Sequence, residues 1–259
     1  LYLNQSGHQH LDQAWIEYND ILASEQDLQS CRKAWIAYCF AHDNIDCIII
    51  NTSCVTAKDW SEHELFKIDQ ETVQGFAKHL TPDFADLPTL LSSFSKNRRA
   101  QIKRAIRYIE SQYGNIVMTK HTGAAALKHI QPLAELHKSR WGDSEYGSGF
   151  DNPKFVEFHE QLLLLEHPDQ DIHLLQFTAG TTNLGYLYNF TSNAKVYFYL
   201  SGVNYVSADN KCKVGLVMHT LAMQYYAELG YQVYDFLGGA SAYKTSLSDH
   251  QYHFYSTHL

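Results

Sequence analysis

Between residues 173 and 203 the chain runs HLLQF, LGYLYNF and KVYFYLSGV, three apolar and aromatic segments divided by turn signals at Gly180 and at Ser192-Asn193. Their length, composition and spacing predict three strands of an antiparallel meander. The period then changes. Leu216 to Leu229 repeats as a helix, with Gly230 in the position that ends one. VYDFL (233–237) reads as a strand, and HFYSTH (253–258) is strand-like again. The order β-β-β-α-β predicts an α/β (α+β) fold, a mixed and mostly antiparallel sheet flanked by helices.

Asp235 sits at the centre of VYDFL with apolar neighbours on both sides, so it must be hydrogen-bonded or paired: burying it bare costs several kcal/mol. Gly238 and Gly239 follow, and then Tyr243 and Lys244. This stretch is the first candidate for a site. The plain alternative is a buried Asp235–Lys244 pair that fixes the last strand against the turn.

Upstream, residues 11–42 read as helical and IDCIII (45–50) as a buried strand. Residues 57–90 are ambiguous, with a strand around Val73–Phe76 and Pro82 and Pro88 as punctuation. From Ser95 to Tyr113, Ile102, Ala105, Ile106 and Ile109 recur at helical spacing beside a ridge of Lys96, Arg99, Lys103 and Arg107. A second helix covers about 124–141, interrupted by Pro132. A third starts at Asn152-Pro153, where Asn is a good N-cap and Pro suits the first turn. Gly142 to Gly149 reads as the polar loop between them.

At 259 residues and 45% hydrophobic content the chain can build a full core, as one large domain or two small ones. Its five cysteines are odd in number, unclustered and without a CxxC, which argues against a disulfide framework or a structural zinc site and for a reducing, cytoplasmic setting. No apolar run approaches the roughly 18–20 residues of a membrane-spanning helix, and no signal sequence opens the chain, which begins on Leu1 as a fragment would. Net charge is −8, which disfavours broad attraction to nucleic acid, yet residues 96–107 hold six Lys or Arg. Two of the many histidines stand three apart in HQYH (250–253), but no acidic or cysteine ligand shares their element, and no metal site is expected.

Three blocks carry a family resemblance: LPTLLSSFSKNRRAQIKRAIR (87–107), LAELHKSRWG (133–142), and the run from YFYLSGVN (197–204) through VGLVMHTLAMQYYAELGYQVYDFLGG (214–239) to AYK (242–244). In order and spacing the chain resembles acetyltransferase-fold proteins of the GNAT superfamily. Within it, the similar branch is the one related to the cellulose-biosynthesis protein CelD and to the Fem peptidoglycan aminoacyltransferases. IEYNDIL (16–22) and IDCIII echo the end of that branch's first half. The resemblance implies two GNAT-like halves, the first (1–90) reduced or truncated and the second (91–259) the acyltransferase domain.

What the resemblance implies about chemistry is an acyl group moved from a thioester, acetyl-CoA or another acyl-CoA, to an amine or hydroxyl of a cell-envelope, saccharide or peptidoglycan-type acceptor, with no tightly bound cofactor. Donor binding falls on Leu200, Ser201 and Gly202 of a strand splayed from its neighbour, and on Lys211, Lys213, Val214, Gly215 and Leu216 at a helix N-terminus, where free N–H groups and the helix dipole favour a diphosphate. The superfamily's usual phosphate loop carries more glycine than Lys211-Cys-Lys-Val-Gly does, so an acyl carrier protein thioester or an aminoacyl-tRNA donor stays open, as does a non-catalytic binding module of the same fold. Asp235 is implied as base or acceptor-orienting group, Tyr243 as acid or hydrogen-bond donor, and Lys244 as the charge beside them. Arg140 and Trp141, with Arg99 and Lys103 of the basic helix, are the expected acceptor contacts; packing and a solvated face are the plain readings of these four.

Overall fold

The computed structural model describes residues 1–8, 11–60, 69–144, 147–165, 171–205 and 212–259. In chain order its elements begin with α1 (Leu28–Phe40), β1 (Ile49–Ser53), α2 (Ala57–Trp60), β2 (Asp69–His79), α3 (Leu87–Ser92) and α4 (Lys96–Tyr113). They continue through β3 (Ile116–His121), α5 (Gly123–Trp141), α6 (Pro153–Leu164), β4 (Asp171–Ala179), β5 (Thr182–Ser192) and β6 (Lys195–Val203). The last are α7 (Val214–Glu228), β7 (Val233–Gly238), α8 (Ala242–Leu247) and β8 (His250–His258). Two compact units emerge: residues 1–75, 238–240 and 251–259 form the smaller, and 76–237 with 241–250 the larger.

In the smaller unit the expected helix over 11–42 is shortened to α1, and 11–27 is irregular. Trp15 and Tyr18 have φ of 31° and 59°, outside the helical region. Side chains organise this segment in place of a helical ladder. The buried Asn19 amide donates to the carbonyls of Leu3 and Asn51 at 3.0 and 3.1 Å, and Arg32 Nε reaches back from α1 to Asp20 at 2.9 Å. Long-range polar closure has overridden local helix propensity. The strand expected at 45–50 lies slightly later, as β1, which pairs antiparallel with β8 (Ile49 opposite His258, Ile50 opposite Thr257). Ile48, Ile50, Ile36 and Trp60 make the small core there.

The larger unit is built on the meander. β3, β4, β5 and β6 pair antiparallel in sequence order, while β7 joins β6 in parallel. A parallel neighbour needs a crossover, and α7 supplies it. β2 flanks β7, with Leu80 N–H donating to Gln232 C=O at 2.7 Å. Alternation sorts the strand side chains. Leu175, Phe177 and Leu187 meet α4 and α7 on one face; Leu174, Tyr186 and Tyr188 meet α5 and α6 on the other. Both faces are covered, which is why β5 reads as an almost unbroken apolar run.

The helix starts follow the expected capping chemistry. Ser95 Oγ accepts from Arg98 N–H at the head of α4, and Asn152 Oδ1 from Lys154 N–H at the head of α6. α4 buries Ile102, Ala105 and Ile109, while Lys96, Lys103, Arg104 and Arg107 stand exposed. α7 buries ten of its fifteen residues, the mark of a helix enclosed on most sides. Among the described residues no helix is long and apolar enough to cross a membrane.

Candidate active site

β6 carries the site because, among the described residues, β5 alone pairs with it along its second half. It pairs with β5 from Lys195, opposite Ser192, to Val203, opposite Gly185. Its parallel ladder with β7 covers Lys195–Tyr197 against Val233–Asp235 and ends there. Past Tyr197 the two strands part, and Ser201 and Val203 line a cavity of about 420 Å³ within the larger unit.

The first turn of α7 forms one wall through Lys213, Gly215, Leu216 and His219. Lys213 takes a left-handed φ of 40°, which turns the chain so that its carbonyl accepts from Leu216 and Val217 N–H at 2.9 and 3.2 Å. A helix start leaves its leading N–H groups without intrahelical acceptors, at the positive end of the dipole. Gly215 is not demanded by packing: a Cβ there would meet nothing nearer than Val203 Cγ2 at 3.7 Å. There is room beside it, and these free N–H groups could hold a diphosphate. Gly202 differs, because α5 lies so close that a Cβ would stand 2.7 Å from Leu133 O and 2.9 Å from Leu136 Cβ. Its small size serves the contact between α5 and β6.

Other walls come from three helices. Arg98 and Gln101 enter from α4, Arg140 and Trp141 from the end of α5, and Ala242 and Tyr243 from α8. Arg140 bonds the Tyr205 hydroxyl, and its guanidinium lies 5.0 Å from the Trp141 ring centroid and 5.3 Å from that of Tyr205. Tyr243 stacks on His219 with centroids 5.2 Å apart and planes at 15°. Burial pushes the Tyr243 phenol up to about 12, against the lowering effect of Arg140, so it stays protonated at neutral pH.

His219 is 4% exposed and packs edge-on against Phe198 and Phe236. Its Nδ1 lies 3.0 Å from the Tyr234 hydroxyl, and among the described residues Nε2 has no hydrogen-bond partner. Burial, reinforced by the nearby charge of Lys244, lowers its pKa to about 3. The imidazole is neutral throughout the physiological range.

The structure brings together Ser201, Lys213, Gly215, Leu216, Arg140, Trp141 and Tyr243 of the residues expected from sequence. Val214 is buried at the head of α7, and Leu200 packs partly buried beside the α5–α6 cluster. Lys211 lies outside the described residues, as do 206–210 of the loop before it. Arg99 and Lys103 are not among the lining residues: α4 presents Arg98 and Gln101, three positions apart, to the cavity instead.

Asp235 does not line the cavity either. It is fully buried, its Oδ2 receives Lys195 Nζ at 2.8 Å, and its Oδ1 accepts from Leu237 N–H at 2.8 Å. Leu237 has a left-handed φ of 62°, costly for a residue with a Cβ. The carboxylate holds the bend with which β7 ends. Lys244 follows in α8, whose N-cap Ser241 accepts from its backbone N–H at 3.4 Å. Sequence reasoning missed His219, Arg98 and Gln101; the signal for His219 was a single imidazole inside VGLVMHTLAM, where every neighbour is apolar or small.

A strand pair that parts beside a helix N-terminus, in a mixed sheet covered by helices, is the arrangement expected of an acetyltransferase-type fold. The model of the Acetyltransferase (GNAT) domain matches residues 96–245, more than half of the chain. The chain belongs to this family of transferases, whose usual co-substrate is acetyl-CoA.

Among solved structures it is similar in fold to a conserved protein of unknown function from Bacteroides thetaiotaomicron (TM-score 0.59, 12% identity, 90% of this chain and 76% of that one). It is also similar to L-PGS from Bacillus licheniformis (TM-score 0.56, 8% identity, 90% and 74%) and to FemX (TM-score 0.54, 12% identity, 93% and 79%). No curated protein matches the chain in sequence.

Proposed function

We propose that the chain transfers an acyl group from a coenzyme A thioester to an amine or hydroxyl of a saccharide or cell-envelope acceptor. The observation that carries the reading is the cavity where β6 leaves β7, with Gly215 and the start of α7 on its wall. The donor supplies an activated acyl carbon whose C–S bond is exchanged for C–N or C–O. Around it, the N-terminus of α7 and the exposed Lys213 hold diphosphate charge, and the edge of β6 that β7 leaves beyond Tyr197 faces an extended ligand. Tyr243 keeps its phenolic proton and gives it to the departing sulfur. His219, neutral beneath the Tyr243 ring, offers Nε2 to the acceptor's N–H or O–H. Asp235 acts at one remove, by holding the bend of β7 that leads the chain to Tyr243 and Lys244.

Calorimetry with acetyl-CoA and thiol release in the presence of amino- and hydroxy-sugars test the reading together. Donor binding is expected in the wild type and in Tyr243→Phe, with thiol release slowed about 100-fold in the variant, the usual scale of one general acid. Silence toward acetyl-CoA and longer acyl-CoAs sinks it.

A second reading, aminoacyl-tRNA-dependent transfer, is favoured by the ridge of Lys96, Arg99, Lys103, Arg104 and Arg107, for which no described acid supplies an ion pair. Such binding would weaken steeply with salt.

A further inference from the structure

The cavity is unbalanced in charge. Arg98 and Arg140 both line it, and among the described residues on its walls there is no aspartate or glutamate. Arg98 is the sharper case. Its Nη1 donates to Gln101 Oε1 at 2.8 Å, a neutral acceptor, and among the described residues its buried Nε has no partner. A guanidinium partly withdrawn from water beside a neutral amide gains from an anion that reaches it, and burial accordingly lowers its proton affinity. Arg140 is fixed by the Tyr205 hydroxyl and by the faces of Trp141 and Tyr205. These contacts set the plane of its exposed fork, and among the described residues no acid pairs with it. Two guanidiniums held this way suit an oxyanion, which each can bind through paired N–H groups.

We infer that the acceptor taken by this cavity carries an oxyanion, a phosphate ester or a carboxylate, and that Arg98 and Arg140 hold it. The inference rests on the acyl-transfer reading and names the substrate class of that same site. It assigns the anion of the acceptor to the α4 and α5 side of the cavity, whereas Lys213 and the start of α7 serve the donor. An acceptor without such a group gains nothing from the two guanidiniums, so anionic sugars and amines are preferred over neutral ones.

Inorganic phosphate and acetate are the two probes, titrated into the full chain by calorimetry with and without saturating coenzyme A. Wild type is compared with Arg98→Gln, Arg140→Gln and Lys213→Gln, and with Arg98→Lys, which keeps the charge but loses the fork. Saturable binding of at least one anion is expected, weakened tenfold or more in Arg98→Gln and Arg140→Gln, less in Arg98→Lys, and little changed in Lys213→Gln or by coenzyme A. A preference for phosphate marks a phosphate ester, and the reverse a carboxylate.

Absence of saturable binding overturns the inference. So does binding that is lost in Lys213→Gln and displaced by coenzyme A, since the anion then sits in the donor seat. Anion binding that follows the arginines while coenzyme A fails to bind upholds the anion site and counts against the acyl-transfer reading.

Discussion

Asp235 and Lys195 form an ion pair whose two members differ in what their loss leaves behind. Asp235 is fully buried, whereas the Lys195 side chain is 23% exposed and can turn toward water. Lys195→Met removes a cation 2.8 Å from a carboxylate that has no access to solvent, and a cost of about 3–5 kcal/mol is expected. Asp235→Asn leaves an amide oxygen able to accept from Leu237 N–H, and strands a lysine that can rehydrate; about 1–2 kcal/mol is expected. Urea unfolding midpoints at constant m-value check the order, and equal losses would mean that Lys195 is not the main partner. The sequence made Asp235 conspicuous for the right reason, since a carboxylate inside VYDFL demands a partner. Lys195 lies forty residues upstream and becomes its neighbour only through the parallel register of β6 and β7, which no local pattern encodes. Arg98 was obscured differently: in a run of six bases, charge alone does not tell which side chain turns toward a cavity.

At the scale of elements, the meander, α4, α5, α6 and α7 were legible because each keeps one period over many residues and ends on Gly, Asn-Pro or Ser. α3 and α8, at six residues each, are too short to show a period, and β3 (IVMTKH) alternates too weakly to stand out beside a strong helix. Gly215 and Gly202 looked alike in sequence, and the structure separates them. Gly215→Ala places a methyl in ordinary contact inside a helix, so stability should hold or rise by up to about 1 kcal/mol. The same methyl intrudes on the proposed donor seat, and affinity for coenzyme A should fall at least tenfold. Gly202→Ala drives a Cβ against the α5 backbone and should cost about 1–3 kcal/mol. Thermal melts and coenzyme A titration of the two variants test this double contrast; a Gly215→Ala protein that binds coenzyme A normally removes that glycine from the donor site.

The whole molecule is made acid-sensitive by histidines that fold neutral. Burial lowers His219 to about 3, and lowers His137 and His159 to about 4, with Asp151 opposing the shift at His137. All three lie in the larger unit. In the unfolded chain they titrate near 6.5. Between those values the unfolded state binds more protons than the folded one, so stability is full above about pH 6.5 and falls as pH drops toward 4, by up to about 1.4 kcal/mol per pH unit for each group. Asp249 acts in a separate window. Burial raises its pKa, but the His79 backbone N–H and Lys78 together bring it below its usual value of 3.8, so its contribution disappears only at still lower pH. Melting curves from pH 7 to about pH 5.5 should therefore show a falling midpoint before carboxylates begin to protonate. His159→Phe, in a pocket walled by Phe155, Phe158 and Tyr199, should flatten that slope by about one proton while weakening the protein at neutral pH through the lost contact to the Tyr188 hydroxyl. A midpoint constant down to about pH 5.5 would mean that these imidazoles gain protons in the folded state as readily as in the unfolded one, and that neutral histidines do not make the folded state acid-sensitive.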